Sequence, residues 1–282
     1  MSENIIIIPI YNDWKSLNKL LIEINQKLNN SDIYKILIVN DSSTHKIHIQ
    51  NKNLDKIKEI KILSTVKNLG SQKAISVGLN YLKGLDENFY ITIMDGDGED
   101  NPSEIKEMVN EAEKHLDYVV TSHRKDRNEN FIIKLSYKLH LIITFFLTWQ
   151  WISFGNFSCF NSNNLKKLNL NDVWCAYSAG VLKSCKIKKL YASRQKRYFE
   201  SSKVNFLKLI EHSFRIISIF YQRMFVSSLI LTFIIWMLDV PFAFFIYTLI
   251  LFINSLVILI KIKNYSKPSI NLNSFIKEIT IL

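Results

Sequence analysis

Residues 89–100, Phe-Tyr-Ile-Thr-Ile-Met-Asp-Gly-Asp-Gly-Glu-Asp, restrict the folds open to this chain more than any other stretch. Residues 89–94 are rich in β-branched and aromatic side chains and apolar on both faces, which describes a central buried strand and not a helix. Asp95 and Asp97 then stand where the strand ends. In open α/β sheets the ligand crevice lies beyond the carboxyl ends of the strands, so two acids there can hold a divalent metal with a phosphorylated ligand. Asp and Gly are also ordinary turn residues. On this stretch alone, metal site and acidic turn both stay open.

The strand, loop and helix pattern recurs along the chain. Residues 4–8 are followed by Pro9-Ile10-Tyr11-Asn12-Asp13, after which Leu17, Leu20, Leu21, Ile24 and Leu28 keep the spacing of a buried helical stripe. Residues 34–39 run into Asn40-Asp41-Ser42-Ser43. A third strand at 60–65 leads to Asn68-Leu69-Gly70 and a helix carrying Ala74, Ile75, Gly78, Leu79 and Leu82. Behind the acidic stretch, Asn101, Pro102 and Glu104 supply the cap, first-turn proline and capping-box acid of a helix with the stripe Ile105, Met108, Val109, Ala112 and Leu116. A further strand is expected at 117–121, then a charged loop at 123–127. Strands alternating with helices imply a mainly parallel sheet flanked by helices, and in such a sheet Pro9 to Asp13, Asp41 and Asp95/Asp97 gather along one edge.

The second half differs in composition. Of the 282 residues 48% are hydrophobic, and the excess lies after Leu139, above all at 225–260. Residues 131–151 are apolar and aromatic, interrupted by Lys134, Lys138 and His140, and suit either a buried helix or one lying at a bilayer interface. Leu207, Ile210, Phe214, Ile217 and Tyr221 give 204–223 the pattern of a juxtamembrane amphipathic helix. Two apolar runs then flank Asp239-Val240-Pro241 and read as a transmembrane hairpin within 224–262; the second is long enough to cross about 30 Å of hydrocarbon. The alternative is a pair of very apolar core helices. Arg215 and Arg223 precede the hairpin and Lys261, Lys263 and Lys267 follow it, so the positive-inside rule puts the 1–203 domain and a 263–282 tail in the cytoplasm of a multi-pass inner-membrane protein.

The formal charge of +11 fits an anionic membrane surface, and nothing beyond that charge motivates nucleic acid as a partner. The three cysteines, Cys159, Cys175 and Cys185, form no CxxC pair and leave an odd count, as expected of inert packing residues in a reduced compartment. No signal-peptide pattern is seen at the amino terminus. His45 and His48 lie in a polar stretch and are expected to be solvated; Trp149 and Trp151 are expected at an interface or in a core.

These motifs together resemble the family 2 glycosyltransferases of GT-A fold, particularly the polyprenyl-phosphate sugar synthases such as dolichyl-phosphate mannose synthase and its bacterial relatives. Pro9-Ile10-Tyr11-Asn12-Asp13 is similar to the family's Pro-x-Tyr-Asn-Glu, and Val39-Asn40-Asp41-Ser42-Ser43 to its Val-Asp-Asp-Gly-Ser. Asn68-Leu69-Gly70 with Ala74 and Gly78 is similar to its Asn-x-Gly helix start, Asp95-Gly96-Asp97 to its Asp-x-Asp, and 102–104 to its Pro-Pro-Glu. The chain departs from the pattern with Asn40 for an acid, Gly98-Glu99 for Leu-Gln, Ser158 for Arg and Glu200 for Gly.

The resemblance implies roles residue by residue. Pro9, Tyr11 and Asp13 would line the base and ribose pocket, Asp41 would contact the base, and Asn68 and Gly70 would belong to the donor site. Asp95 would approach the ribose or diphosphate and Asp97 would ligate Mg2+ or Mn2+. Arg124, Arg127, Lys134 and Ser136 match the region that holds an acceptor phosphate, although Arg124 and Arg127 also read as a solvated charge cluster. Arg197, Ser202 and Lys203 resemble a segment closing over the donor. The expected protein is therefore a membrane-anchored inverting glycosyltransferase moving a sugar from a nucleotide sugar to a polyprenyl phosphate. Its rivals are transfer to a hydroxyl of a lipid-linked saccharide or surface polysaccharide, and a catalytically silent membrane scaffold. A homo-oligomer is among the assemblies open to it.

Overall fold

The computed structural model of the protein describes residues 3–28, 33–49, 54–124, 131–193, 195–199, 206–265 and 271–282. In chain order the elements are β1 (Glu3–Ile10), α1 (Trp14–Lys27), β2 (Ile33–Asn40), β3 (Ile57–Thr65), α2 (Ser71–Lys83), β4 (Phe89–Ile93), α3 (Ile105–Lys114), β5 (Tyr118–Arg124) and α4 (Phe131–Thr148). They continue as β6 (Ser158–Asn161), α5 (Ser162–Lys167), α6 (Leu170–Cys175), α7 (Tyr177–Ser184), β7 (Lys186–Ala192), α8 (Phe206–Ile219), α9 (Tyr221–Met237), α10 (Ala243–Tyr265) and β8 (Ile276–Ile281).

One sheet of eight strands runs in the order β7-β5-β6-β4-β1-β2-β3-β8. The four strands that begin the alternation, β4-β1-β2-β3, pair in parallel, while β6 and β8 are antiparallel to their neighbours. β1 and β4 are buried on both faces, as expected of strands covered by helices. The predicted stripe of α1 packs there: Leu17, Leu20, Leu21 and Ile24 share a core with Ile6, Ile8, Ile36, Ile38 and Met94. Asp13 caps α1 by accepting from the Ser16 N–H at 3.2 Å.

The structure departs from sequence expectation in the bounds and number of its elements. β5 runs on to Arg124, because β7 supplies a parallel partner that pairs His123 with Tyr191 and Arg124 with Ala192; the charged loop therefore begins later than read. Leu116 is exposed and not part of the α3 stripe, since the His115 N–H closes the helix on the Glu111 carbonyl. Residues 276–281 are a strand, β8, paired antiparallel with β3, so the stretch read as a tail returns to the sheet.

The chain forms two compact units. The first comprises residues 1–126, 154–202 and 271–282, and the second comprises 127–153 and 203–270, which differs from the contiguous 1–203 domain read from sequence. In the second unit α9 is tied to α4 by Trp149 Nε1 donating to Ser227 Oγ at 2.9 Å and by Arg223 Nη1 donating to the Thr148 carbonyl at 3.2 Å. α9 meets α10 through Ser228 Oγ donating to Asn254 Oδ1 at 3.1 Å, and Lys261 Nζ lies 3.1 Å from the centroid of the Tyr221 ring. Among the described helices, one segment, Ala243–Lys263, is long and apolar enough to cross a membrane. α9, at 17 residues, falls short alone and passes the same test only with α8, from which it bends by 93°.

In the first unit, His123 is buried between Phe154 and Tyr191, with Nε2 3.0 Å from Thr121 Oγ1. Burial, followed by the charge of Lys189, pulls its pKa down to about 4. An unfolded histidine titrates near 6.5, so the neutral folded form is favoured above that value and stability is lost as pH falls from about 6.5 to 4, by at most about 3 kcal/mol. Thermal unfolding from pH 7 to 4 is expected to fall less steeply for His123→Gln than for wild type; parallel slopes would refute this.

Candidate active site

The loops that follow β1, β2, β3 and β4 come together at the carboxyl ends of these parallel strands. Asn12, in the left-handed region at φ 57°, stitches the first two: its N–H donates to Ser43 Oγ, and its Oδ1 accepts from the N–H groups of Thr44 and His45. Asp41 stitches the second to the third. Its Oδ1 accepts from the Leu69 N–H at 2.8 Å and from Thr65 Oγ1 at 3.2 Å, while its Oδ2 accepts from the Gly70 N–H at 2.7 Å. Burial raises the Asp41 pKa against the pull of those N–H donors. Gly70 has φ 88°, a conformation that lets its N–H turn toward the carboxylate where a side chain would be strained. Asp41 thus fixes the Asn68–Gly70 turn at the start of α2, a structural task beyond the base contact that the resemblance implies.

The acidic loop after β4 is held as closely. The Asp95 N–H donates to Asp100 Oδ2 at 2.9 Å, and Asp95 Oδ1 accepts from Asn156 Nδ2 at 3.1 Å. Asn156 is oriented in turn by Gln72 Nε2 at 3.0 Å, and Gln72 Oε1 by the Tyr177 N–H at 2.5 Å. Burial and the neighbouring Asp97 charge push Asp95 up to about 6. Asp97 is also raised, chiefly by burial, with Arg197 opposing and Asp13 adding to the rise. Asp97 Oδ1 accepts from the Glu99 N–H at 3.0 Å, and Asp97 Oδ2 lies 2.8 Å from Arg197 Nη2. Arg197 Nε is 3.5 Å from Glu99 Oε1.

This geometry is that of a strand-end site built around paired acids, and residues 5–184 match the family model for glycosyl transferase family 2. The chain belongs to that family. An uncharacterized glycosyltransferase of Synechocystis sp., sll0501, is 31% identical over 140 residues, which is 48% of this chain and 42% of that one. This chain therefore spans less than half the length of that relative. Among solved structures, S. aureus TarS 1–349 in complex with UDP-GlcNAc is 20% identical with a TM-score of 0.51, covering 82% of this chain and 71% of its own. Glucosyl-3-phosphoglycerate synthase from Mycobacterium tuberculosis, in complex with Mn2+, UDP and its product, is 12% identical with a TM-score of 0.50, covering 79% and 80%. At such identities the likeness is one of fold, the GT-A α/β fold of the family.

Of the residues singled out from sequence, the structure gathers Pro9, Tyr11, Asp13, Asp41, Asn68, Gly70, Asp95, Asp97 and Arg197 in the first unit, at or beside the ends of β1 to β4. Pro9 is buried within β1, whereas Tyr11 is exposed. Arg124 closes β5, and Lys134 and Ser136 lie on α4 in the second unit, their side chains undescribed. Arg127, Ser202 and Lys203 lie outside the described residues. Sequence reasoning passed over Asn12, Gln72, Asn156 and Tyr198.

The acids suit a hard divalent cation. They are oxygen donors only, partly withdrawn from water, and raised in pKa by burial, with the Asp97 charge adding to the rise at Asp95 and the Asp13 charge to that at Asp97, a repulsion that a cation relieves. Among the described residues no group of three His, Cys, Asp or Glu forms a finished cation cage. Ligand oxygens would complete the shell, as is usual for Mg2+ bound beside phosphates.

Asn156→Ala removes the amide that orients Asp95. It is expected to lower kcat about 10- to 100-fold in a donor-turnover assay with little change in thermal stability; an unchanged kcat would remove Asn156 from the site.

Proposed function

We propose that the protein is a membrane-anchored inverting glycosyltransferase that takes a sugar from a nucleotide diphosphate sugar and gives it to a polyprenyl phosphate. The observation that carries the reading is the gathering of Asp13, Asp41, Asp95 and Asp97 along one sheet edge in a chain of this family. Asp97, with Asp95 beside it, would hold Mg2+ or Mn2+, and the ion would neutralise the charge growing on the departing diphosphate. Tyr11 and Asp13 stand at the β1 end to meet the base and ribose. Asp41 acts by holding the Asn68–Gly70 turn in place against them. UDP complexes of the two structural neighbours support a nucleotide donor.

The lipid acceptor is supported by charge and by surface. A phosphate oxygen is already anionic and attacks with little general-base help, in keeping with the family's basic region around Arg124, Arg127, Lys134 and Ser136. Transfer to a saccharide hydroxyl would ask more of a base. The second unit presents Leu229, Trp236, Phe242, Phe244, Phe252 and Leu259, each at least 63% exposed, an apolar surface too large for contact with water and suited to lipid.

Chain connectivity supports a two-pass anchor with both ends on one side. Since β8 pairs with β3, the chain leaves the first unit near 203 and rejoins it by 271, so it crosses a bilayer between those points an even number of times. Ala243–Lys263 crossing alone does not fit that count, which supports the reading of α9 as its partner span, with local bilayer thinning making up for its shortness. The same count applies to 127–153, where one helix leaves and returns, and favours α4 lying at the interface. Positive charge at Arg215, Arg223, Lys261 and Lys263 supports a cytoplasmic first unit under the positive-inside rule.

Two experiments test this reading. Asp97→Asn is expected to abolish metal-dependent transfer to polyprenyl phosphate while the thermal transition persists; full activity would sink the assignment. In cells expressing a variant without Cys185, a cysteine at Val240 is expected to react with a membrane-impermeant maleimide before lysis and one at Lys277 only afterwards. Labelling of both positions in intact cells would overturn the hairpin.

A further inference from the structure

Residues 195–199 lie across the acidic loop and bind it through backbone and side chain. The Gln195 N–H donates to the Glu99 carbonyl at 2.9 Å and the Tyr198 N–H to the Asp97 carbonyl at 3.1 Å. Between these bonds Arg197 reaches Asp97 at 2.8 Å and Glu99 at 3.5 Å. The Tyr198 ring sits on Gly98, where an added Cβ would fall 2.2 Å from Cε2, and Gly98 holds φ 83°. Tyr198 donates its hydroxyl proton to Glu23 Oε2 at 2.6 Å, and Lys15 and Lys19 lie over the rings of Phe199 and Tyr198 at 4.1 and 4.3 Å.

These contacts account for the departure at Gly98-Glu99 from the family's Leu-Gln. Gly98 leaves room for the Tyr198 ring, and Glu99 gives Arg197 a second acid. Loop and strap are matched to each other in a segment whose chemistry otherwise belongs to a cation and a diphosphate.

We propose that Arg197 is a displaceable counter-cation: with no donor bound it occupies Asp97, and a divalent cation gains that carboxylate only when Arg197 leaves it. The inference rests on Asp97 being the metal ligand. Arg197 supplies one positive charge against Asp97 and Glu99, so part of the charge of the acidic loop is offset without metal. A diphosphate offers the planar guanidinium a geometrically suitable alternative anion. Donor binding would then draw Arg197 from carboxylate to phosphate as the cation enters, so that cation and donor strengthen each other's binding by the same factor.

The test is titration of Mn2+ alone into the full-length protein in detergent, followed by calorimetry and by the electron paramagnetic resonance of free Mn2+. Arg197→Ala is expected to bind Mn2+ about tenfold more tightly than wild type, the factor for a charge-assisted hydrogen bond of ordinary strength that no longer has to be broken. Tyr198→Ala keeps every charge and removes the ring seated on Gly98, so it is expected to tighten binding in the same direction, and it decides the matter if Arg197→Ala fails to give a normal thermal transition. Asp97→Asn is expected to lose Mn2+ binding. Equal or weaker affinity in both strap variants, with binding still lost in Asp97→Asn, overturns the counter-cation and leaves the metal site standing. No Mn2+ binding in any form overturns both.

Discussion

Repulsion between Asp95 and Asp97 at the end of a buried strand is the constraint on which the rest of the site depends. Neither acid is fully hydrated, and the Asp97 charge raises the cost of ionising Asp95 as the Asp13 charge does for Asp97. The surroundings offset that cost with donors from widely separated parts of the chain: Asn156 for Asp95, the Glu99 N–H and Arg197 for Asp97. Asn156 is itself held by Gln72, whose helix begins at the turn that Asp41 pins. The acid pair thus sits at the centre of a polar network joining the ends of β2, β3, β4 and β6, and a well-satisfied network of this kind fixes side-chain geometry.

Burial of apolar surface follows two different rules in the two units. In the first, Ile6, Ile8, Leu20 and Ile24 are withdrawn from water as in any packed α/β core. In the second, the described buried cluster centred on Ile217, Met224 and Val257 is small and most of α9 and α10 faces outward. Ser228 to Asn254 and Trp149 to Ser227 tie helices together by polar contacts, a means of association suited to lipid, where apolar contact between helices gains little over contact with hydrocarbon.

Much of the architecture was legible because β1, β2 and β4 have short apolar runs that end in polar motifs, and the α1 and α2 stripes keep a clear helical period. The acidic loop was legible for the same reason. What escaped notice depends on contacts between distant residues. Asn156 lies 61 positions from Asp95, and no local pattern marks it as a partner. Gly98-Glu99 departs from the family's Leu-Gln, and only the folded chain brings Tyr198 and Arg197 onto it. β8, Ile-Lys-Glu-Ile-Thr-Ile, alternates polar and apolar residues only from Glu278 onward, and six residues beyond an apolar helix carry no sign of the strand they pair with. β5 ran past its expected end because β7, distant in sequence, was there to bond it.

The return of β8 to β3 also orders the events of synthesis. β3 is made early, yet its outer edge has no partner until α8, α9 and α10 have been translated and β8 has followed them. While the apolar helices are being made, that edge has open N–H and C=O groups, and an open strand edge is a template for wrong pairing. Under the membrane anchor proposed above, a nascent chain that delivers its apolar helices promptly to a bilayer would bring β8 back to the sheet, and one that delays would hold both hazards open at once.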